Sequence, residues 1–168
     1  SQNTATAANI YNTAVGYGAG AAVTTGTLNT LVGGLAGDAL TDGEANVAIG
    51  YGALGTEDQA DANVAVGVNA LATQNAGTSE AYNTAVGHNA GRQVTTGTLN
   101  TLIGGLAGDA ITTATDSTFV GYLAGSATTD GNHNTGIGSN ALAANTGGQN
   151  TAVGRDALAA NTTASFNT

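Results

Sequence analysis

Residues 46–54 read Asn-Val-Ala-Ile-Gly-Tyr-Gly-Ala-Leu, and residues 63–71 read Asn-Val-Ala-Val-Gly-Val-Asn-Ala-Leu, the same phrase seventeen residues on. Working outward in both directions, the phrase starts at Asn12, Asn29, Asn46, Asn63, Asn83, Asn100, Ser117, Asn134 and Asn150, with spacings of 17, 17, 17, 20, 17, 17, 17 and 16. Asn167-Thr168 falls 17 beyond Asn150 and opens a further copy. The fourth position is β-branched in every copy: Val15, Val32, Ile49, Val66, Val86, Ile103, Val120, Ile137 and Val153. The fifth is always Gly and the eighth always Ala. Residues 23–40 recur at 94–111 with two conservative exchanges, Val32/Ile103 and Leu40/Ile111, which marks duplication of a four-coil block.

A period of seventeen is too short for a pair of helices and fits one turn of a β-solenoid. Thr, Val and Ile favour strands. The sequence therefore predicts an all-β protein, a parallel β-solenoid or β-roll of about nine coils. The expected organisation is a lead-in at 1–11, the nine-coil repeat at 12–158, and the start of a further coil or a tail at 159–168. Each coil is expected to hold two short strands. One covers Thr-x-Val/Ile-Gly, and the other follows the invariant Ala near Ala21-Ala22-Val23 or Ala39-Leu40. At the roughly 4.8 Å spacing of neighbouring strands, nine coils make a rod about 45 Å long.

Side chains alternate between the faces of a strand. Taking apolar residues as interior puts the second and fourth positions inside, so Val15, Val32, Ile49, Val66, Val86, Ile103, Val120, Ile137 and Val153 are the expected coil core. The third position would then face outward, yet it holds no polar residue in any copy. A strand apolar on both faces is covered on both faces. Leu31, Leu102 and Phe119 at the third position coincide with Leu35, Leu106 and Leu123 at the seventh and with Gly at the ninth. Bulk added at two sites and removed at a third marks a shared packing layer. These six residues are the expected subunit interface of a homotrimer, the alternative being a layer within one chain. Asn12, Asn29, Asn46, Asn63, Asn83, Asn100, Asn134 and Asn150 are expected to stack as a structural amide ladder.

Composition narrows the function. The chain carries 27 Gly, no Cys, Met, Pro or Trp, 8% charged residues and a net charge of −9. Two basic residues cannot form a nucleic-acid or polybasic membrane face. No apolar run is long enough to span a bilayer. Without Met, the chain reads as a segment of a longer protein. The carboxylates Asp42, Glu44, Glu57, Asp58, Asp61, Glu80, Asp116 and Asp130 gather before the Asn column, but their spacing matches neither the EF-hand loop nor the Gly-Gly-x-Gly-x-Asp repeat, and a solvated acidic edge is expected. Asp38 and Asp109 read as turn residues. His88 and His133 fall at different phases of the coil, so no metal site is assigned. The exposed-edge reading of Tyr17, Tyr51 and Tyr122 admits contact with a glycan or protein. Thr pairs such as Thr24-Thr25 and Thr95-Thr96 admit ice binding. Gly-Gly-Leu-Ala-Gly lacks the Lys-Ser/Thr of a phosphate loop. No catalytic grouping recurs, and no enzyme activity or cofactor is expected.

Asn-Val-Ala-Ile-Gly at 46–50 and Asn-Val-Ala-Val-Gly at 63–67 resemble the Asn-Ser-Val-Ala-Ile-Gly head repeats of trimeric autotransporter adhesins. Asn-Thr-Ala-Val-Gly at 12–16, 83–87 and 150–154 resembles repeats of bacteriophage tail-fibre proteins. The resemblance covers about residues 12–158, with a coil longer than that of the adhesin heads. It implies a trimeric fibre, extracellular at a cell or virion surface, whose partners are copies of itself and a surface receptor or glycan. A self-assembling filament of head-to-tail solenoids and a monomeric ice- or glycan-binding solenoid are the alternatives.

Overall fold

A computed structural model describes residues 11–77 and 80–168. The expected lead-in, apart from Tyr11, lies outside the described residues. The chain winds into a parallel β-solenoid with one three-residue strand per coil: β1 (Thr13–Val15), β2 (Thr30–Val32), β3 (Val47–Ile49), β4 (Val64–Val66), β5 (Thr84–Val86), β6 (Thr101–Ile103), β7 (Thr118–Val120), β8 (Thr135–Ile137) and β9 (Thr151–Val153). They form one nine-stranded sheet in chain order. The register pairs like position with like, Leu31 with Ala48 and Leu102 with Phe119 among them.

The expected second strand is not formed. After the fifth-position Gly the chain runs through successive tight turns, closed in the first coil by Ala19 N–H to Gly16 O at 3.4 Å, Ala21 N–H to Gly18 O at 3.2 Å and Val23 N–H to Gly20 O at 3.1 Å. The seventh and ninth positions carry positive φ, as at Gly18 (68°), Gly20 (59°), Leu35 (57°) and Leu54 (53°), the condition for the third residue of a type II turn. The intervening N–H groups point along the rod instead: Gly20 donates to Ala36 O at 3.0 Å and Ala22 to Asp38 O at 3.1 Å. Backbone polarity is thus satisfied alternately within the coil and between coils.

The strand faces are the reverse of the expected ones. The third position lines the interior, where Leu31, Ala48, Ala65, Ala85, Leu102 and Phe119 are fully buried. The expected coil core faces outward: Val15, Ile49, Val86, Ile103, Ile137 and Val153 are exposed, and Val32, Val66 and Val120 are half-buried. Leu31, Leu102 and Phe119 are sealed inside their own chain and cannot be a subunit interface. Leu35, Leu106 and Leu123 sit half-buried on the turn.

The first residue of the coil decides the parity. Asn shares a face with the third position, and its amide is needed inside to hold backbone groups (below). In a strand of period two, a one-residue shift moves every side chain to the other face.

The packing layer is within the chain. A Cβ on Gly37 would lie 2.8 Å from Leu31, one on Gly108 2.7 Å from Leu102, and one on Gly125 2.5 Å from Phe119. Where the third position shrinks to Ala48, Ala65 or Gly136, the ninth becomes a buried Leu54, Leu71 or Leu142. The twelfth position completes the exchange. It is Val23, Leu40, Val94 or Ile111 above four of the ninth-position glycines, with buried Thr128 above Gly125 beside the bulky Phe119, and buried Glu57, Gln74 or Asn145 above a Leu.

Candidate interaction face

Strands β1 to β9 present one continuous face built from their second and fourth positions. The second holds Thr or Val and the fourth Val or Ile, so no charge enters either column. Eight inter-strand steps make this face roughly 38 Å long. The Thr13, Thr30, Thr84, Thr101, Thr118, Thr135 and Thr151 hydroxyls stand on it, outside the hydrogen-bonded Thr ladder of the opposite wall. There Thr24, Thr95 and Thr112 donate to the carbonyls of Thr41, Thr112 and Thr129 at 3.2, 3.0 and 3.2 Å. The Thr24 and Thr95 hydroxyls are therefore engaged along the rod.

Two rims flank the face. One is the sixth position, with Tyr17, Tyr51, Val68 and Tyr122 exposed. The other is the residue before each Asn, with Tyr11, Leu28, Tyr82, Leu99 and Phe166 exposed at positive φ. The Glu80 carboxylate beside Tyr82 holds its hydroxyl above the usual phenol range. On the same rim His133 Nε2 lies 3.7 Å from Asp116 Oδ2.

Behind the face runs the Asn seam. Asn12 Oδ1 accepts the backbone N–H of Asn29 at 2.7 Å, and Asn29 Oδ1 that of Asn46 at 2.9 Å. The Nδ2 of each side chain closes its own coil, donating from Asn12 to Gly26 O at 2.7 Å, Asn29 to Gly43 O at 2.8 Å and Asn46 to Ala60 O at 3.0 Å. Asn83, Asn100, Asn134 and Asn150 make the corresponding closures. Asn63 instead donates to Asn46 Oδ1 at 3.1 Å. Direct amide-to-amide bonds join only some rungs, so the column works chiefly as a clamp on backbone groups. Ser117 supplies half of this clamp, its Oγ accepting the Asn134 N–H at 3.2 Å.

Replacing Asn100 by Ala orphans the buried Ser117 N–H and Ala114 carbonyl. Each unsatisfied buried group costs about 1–3 kcal/mol, so the loss is about 2–6 kcal/mol in urea unfolding. A loss below about 0.5 kcal/mol would show that the clamp contributes little.

The acidic residues divide. Glu57 is fully buried, and its Oε1 accepts the N–H groups of Asp58, Gln59 and Ala60 at 3.0, 3.2 and 2.9 Å. Its Oε2 faces the Ala76 N–H at 3.4 Å, so this carboxylate organises the turn beneath the twenty-residue coil. Asp61 Oδ1 accepts the Glu44 N–H at 2.6 Å. Burial pushes the Asp109 carboxyl above its usual range, against a backbone hydrogen bond and Arg92. Among the described residues no group of three or more His, Cys, Asp or Glu could hold a metal ion. The inward role of Glu57 was hidden from the sequence, because its column mixes aliphatic residues (Val23, Leu40, Val94, Ile111) with polar ones (Gln74, Thr128, Asn145). The only signal was its place three residues after Leu54, where Gln74 and Asn145 follow Leu71 and Leu142.

No protein-family model, curated protein or solved structure matches the chain.

Proposed function

We propose that the chain is a non-catalytic segment of a fibre or adhesin, a rigid rod whose copies pack through the strand face into a trimeric shaft or head at a cell or virion surface. The observation that carries this reading is the outward column of Val and Ile, β-branched in all nine strands and unaccompanied by charge. Large contiguous apolar patches on soluble proteins mark interaction sites. A repeating rod offers the same patch at every level, which favours copies of itself as the partner. The number three comes from the resemblance to trimeric adhesin heads, as does the location. The subunit face is thus the fourth position, one residue along from the Leu31, Leu102 and Phe119 expected from sequence.

Light scattering across a range of concentrations tests the proposal. The expected mass is constant at three times the 16.0 kDa chain. A monomer at every concentration would sink it, and growth with concentration would favour the head-to-tail filament instead.

The second-position Thr residues favour a second reading. In a monomer, Thr hydroxyls and Val/Ile methyls would face water at regular spacing across one sheet, an arrangement able to order water into an ice-like layer. Thermal hysteresis from a monomeric chain is its test.

A further inference from the structure

The sixth position of the coil alternates between two kinds of side chain. At the levels of β1, β3, β5, β7 and β9 it is Tyr17, Tyr51, His88, Tyr122 and Arg155, each ending in a planar π system and each exposed. At the levels of β2, β4, β6 and β8 it is Gly34, Val68, Gly105 and Ser139, all small and none planar. Duplication of the four-coil block accounts for the match of Tyr51 with Tyr122 and of Gly34 with Gly105. It does not account for Tyr17, His88 and Arg155, which stand four coils apart, differ in chemistry and share only planarity.

Packing within the chain sets part of this order. A Cβ on Gly34 would lie 3.3 Å from the Tyr51 ring and one on Gly105 3.6 Å from the Tyr122 ring, so a small residue seats the ring of the next coil. Seating holds the rings in place without covering them: Tyr17, Tyr51 and Tyr122 are 87%, 57% and 56% exposed. Nor does it require a planar group at every second coil, because a small sixth-position side chain needs no particular neighbour.

Neighbouring strands lie about 4.8 Å apart, so the planar groups recur every ~9.6 Å along roughly 38 Å of the rod. Two pyranose rings of an extended β-1,4-linked glycan cover the same distance as two coils. The axial C–H groups of such sugars carry slight positive charge and stack on the negative face of an aromatic ring. We infer that the sixth-position column is a binding track for an extended, neutral β-1,4-linked glycan lying along the rod, one disaccharide to each planar group. Neutrality follows from charge. At −9 the chain repels a polyanion, and Arg155 Nε already lies 3.2 Å from Asp156 Oδ2. All the planar groups belong to one chain, so the track goes beyond the proposed fibre and is independent of how many copies assemble.

Isothermal titration calorimetry with β-1,4-linked oligosaccharides of glucose, mannose and N-acetylglucosamine, each of two, four and six units, tests the track. At least one series is expected to bind, each added disaccharide tightening the complex as it reaches another planar group. Tyr51→Ala is expected to weaken binding of the six-unit sugar about tenfold, and Val68→Ala, at an intervening level, to leave it unchanged. The deciding variant is Tyr51→Val with Val68→Tyr. It keeps the composition and the number of rings but sets the spacings from Tyr17 at three, one, two and two coils. With circular dichroism showing it folded, this variant is expected to lose the gain with length. No binding of any series, affinity that does not rise with length, or equal binding after Tyr51→Ala or the exchange overturns the track. Light scattering on the same protein reads the number of chains separately. A monomer that binds with length dependence overturns the trimer alone, and a trimer that binds none of the sugars overturns the track alone.

Discussion

Replacing Ile103 by Asp is expected to leave the coil folded and to take the proposed assembly apart, whereas replacing its neighbour Leu102 by Asp is expected to unfold the coil. The two residues are adjacent in β6 and point to opposite faces. Leu102 is fully buried beside Gly91 and Gly108, where a Cβ would approach it to 2.6 and 2.7 Å. Emptying such a site of its aliphatic side chain costs about 2–5 kcal/mol. A carboxylate left there without a partner adds several kcal/mol more. In a solenoid each coil is stabilised mainly by its neighbours, so the loss spreads through the adjoining coils. Ile103 is 38% exposed on the strand face, and a carboxylate there meets water in the single chain. In the proposed trimer three copies of that charge would converge at one level. Each copy would forgo about 1.5–3 kcal/mol of apolar burial and meet its like-charged equivalents. Circular dichroism and light scattering read the two effects separately. The expected pattern is an unchanged spectrum with one-chain mass for Ile103→Asp, and a lost cooperative melt for Leu102→Asp. A folded, fully assembled Ile103→Asp protein would remove the strand face from consideration.

Gly104→Ala is expected to destabilise the rod by about 3–5 kcal/mol, through backbone strain added to overpacking. Gly104 has φ of 132°, and a Cβ there would stand 2.5 Å from the Gly121 carbonyl oxygen and 2.7 Å from its carbon. Those are backbone atoms of the next coil, so the clash is relieved only by prising coils apart. The neighbouring Gly105 is the control. Its φ is ordinary, and a Cβ would meet the Tyr122 ring at 3.6 Å, normal van der Waals contact. Gly105→Ala should change chain stability by no more than about 0.5 kcal/mol. Urea unfolding in the Ile103→Asp background keeps assembly out of the comparison. Equal effects of the two substitutions would show that coil-to-coil approach does not require the fifth-position Gly.

The sequence by itself determined the period, the number of coils and the all-β solenoid. Asn, a β-branched residue, Gly and Ala recur in phase through all the copies apart from Ser117, and only a coil returning to the same place each turn uses such a pattern. It also disclosed that the third, seventh and ninth positions trade volume, because Leu31 with Gly37 and Ala48 with Leu54 can be compared directly. What only the tertiary structure decided is the side on which that exchange occurs. Parity along a three-residue strand is a binary choice, and hydrophobicity points both ways when the second, third and fourth positions are all apolar or Thr. The choice is made by Asn29 and its equivalents, whose amides reach inward to hold the next coil's N–H and their own coil's carbonyl. Those partners lie 17 and 14 residues away and become neighbours only once the chain has closed a turn. The missing second strand has the same origin. Ala21-Ala22-Val23 has strand-compatible composition, but left-handed residues at Gly18 and Gly20 commit the chain to turns whose outward N–H groups are answered by the next coil.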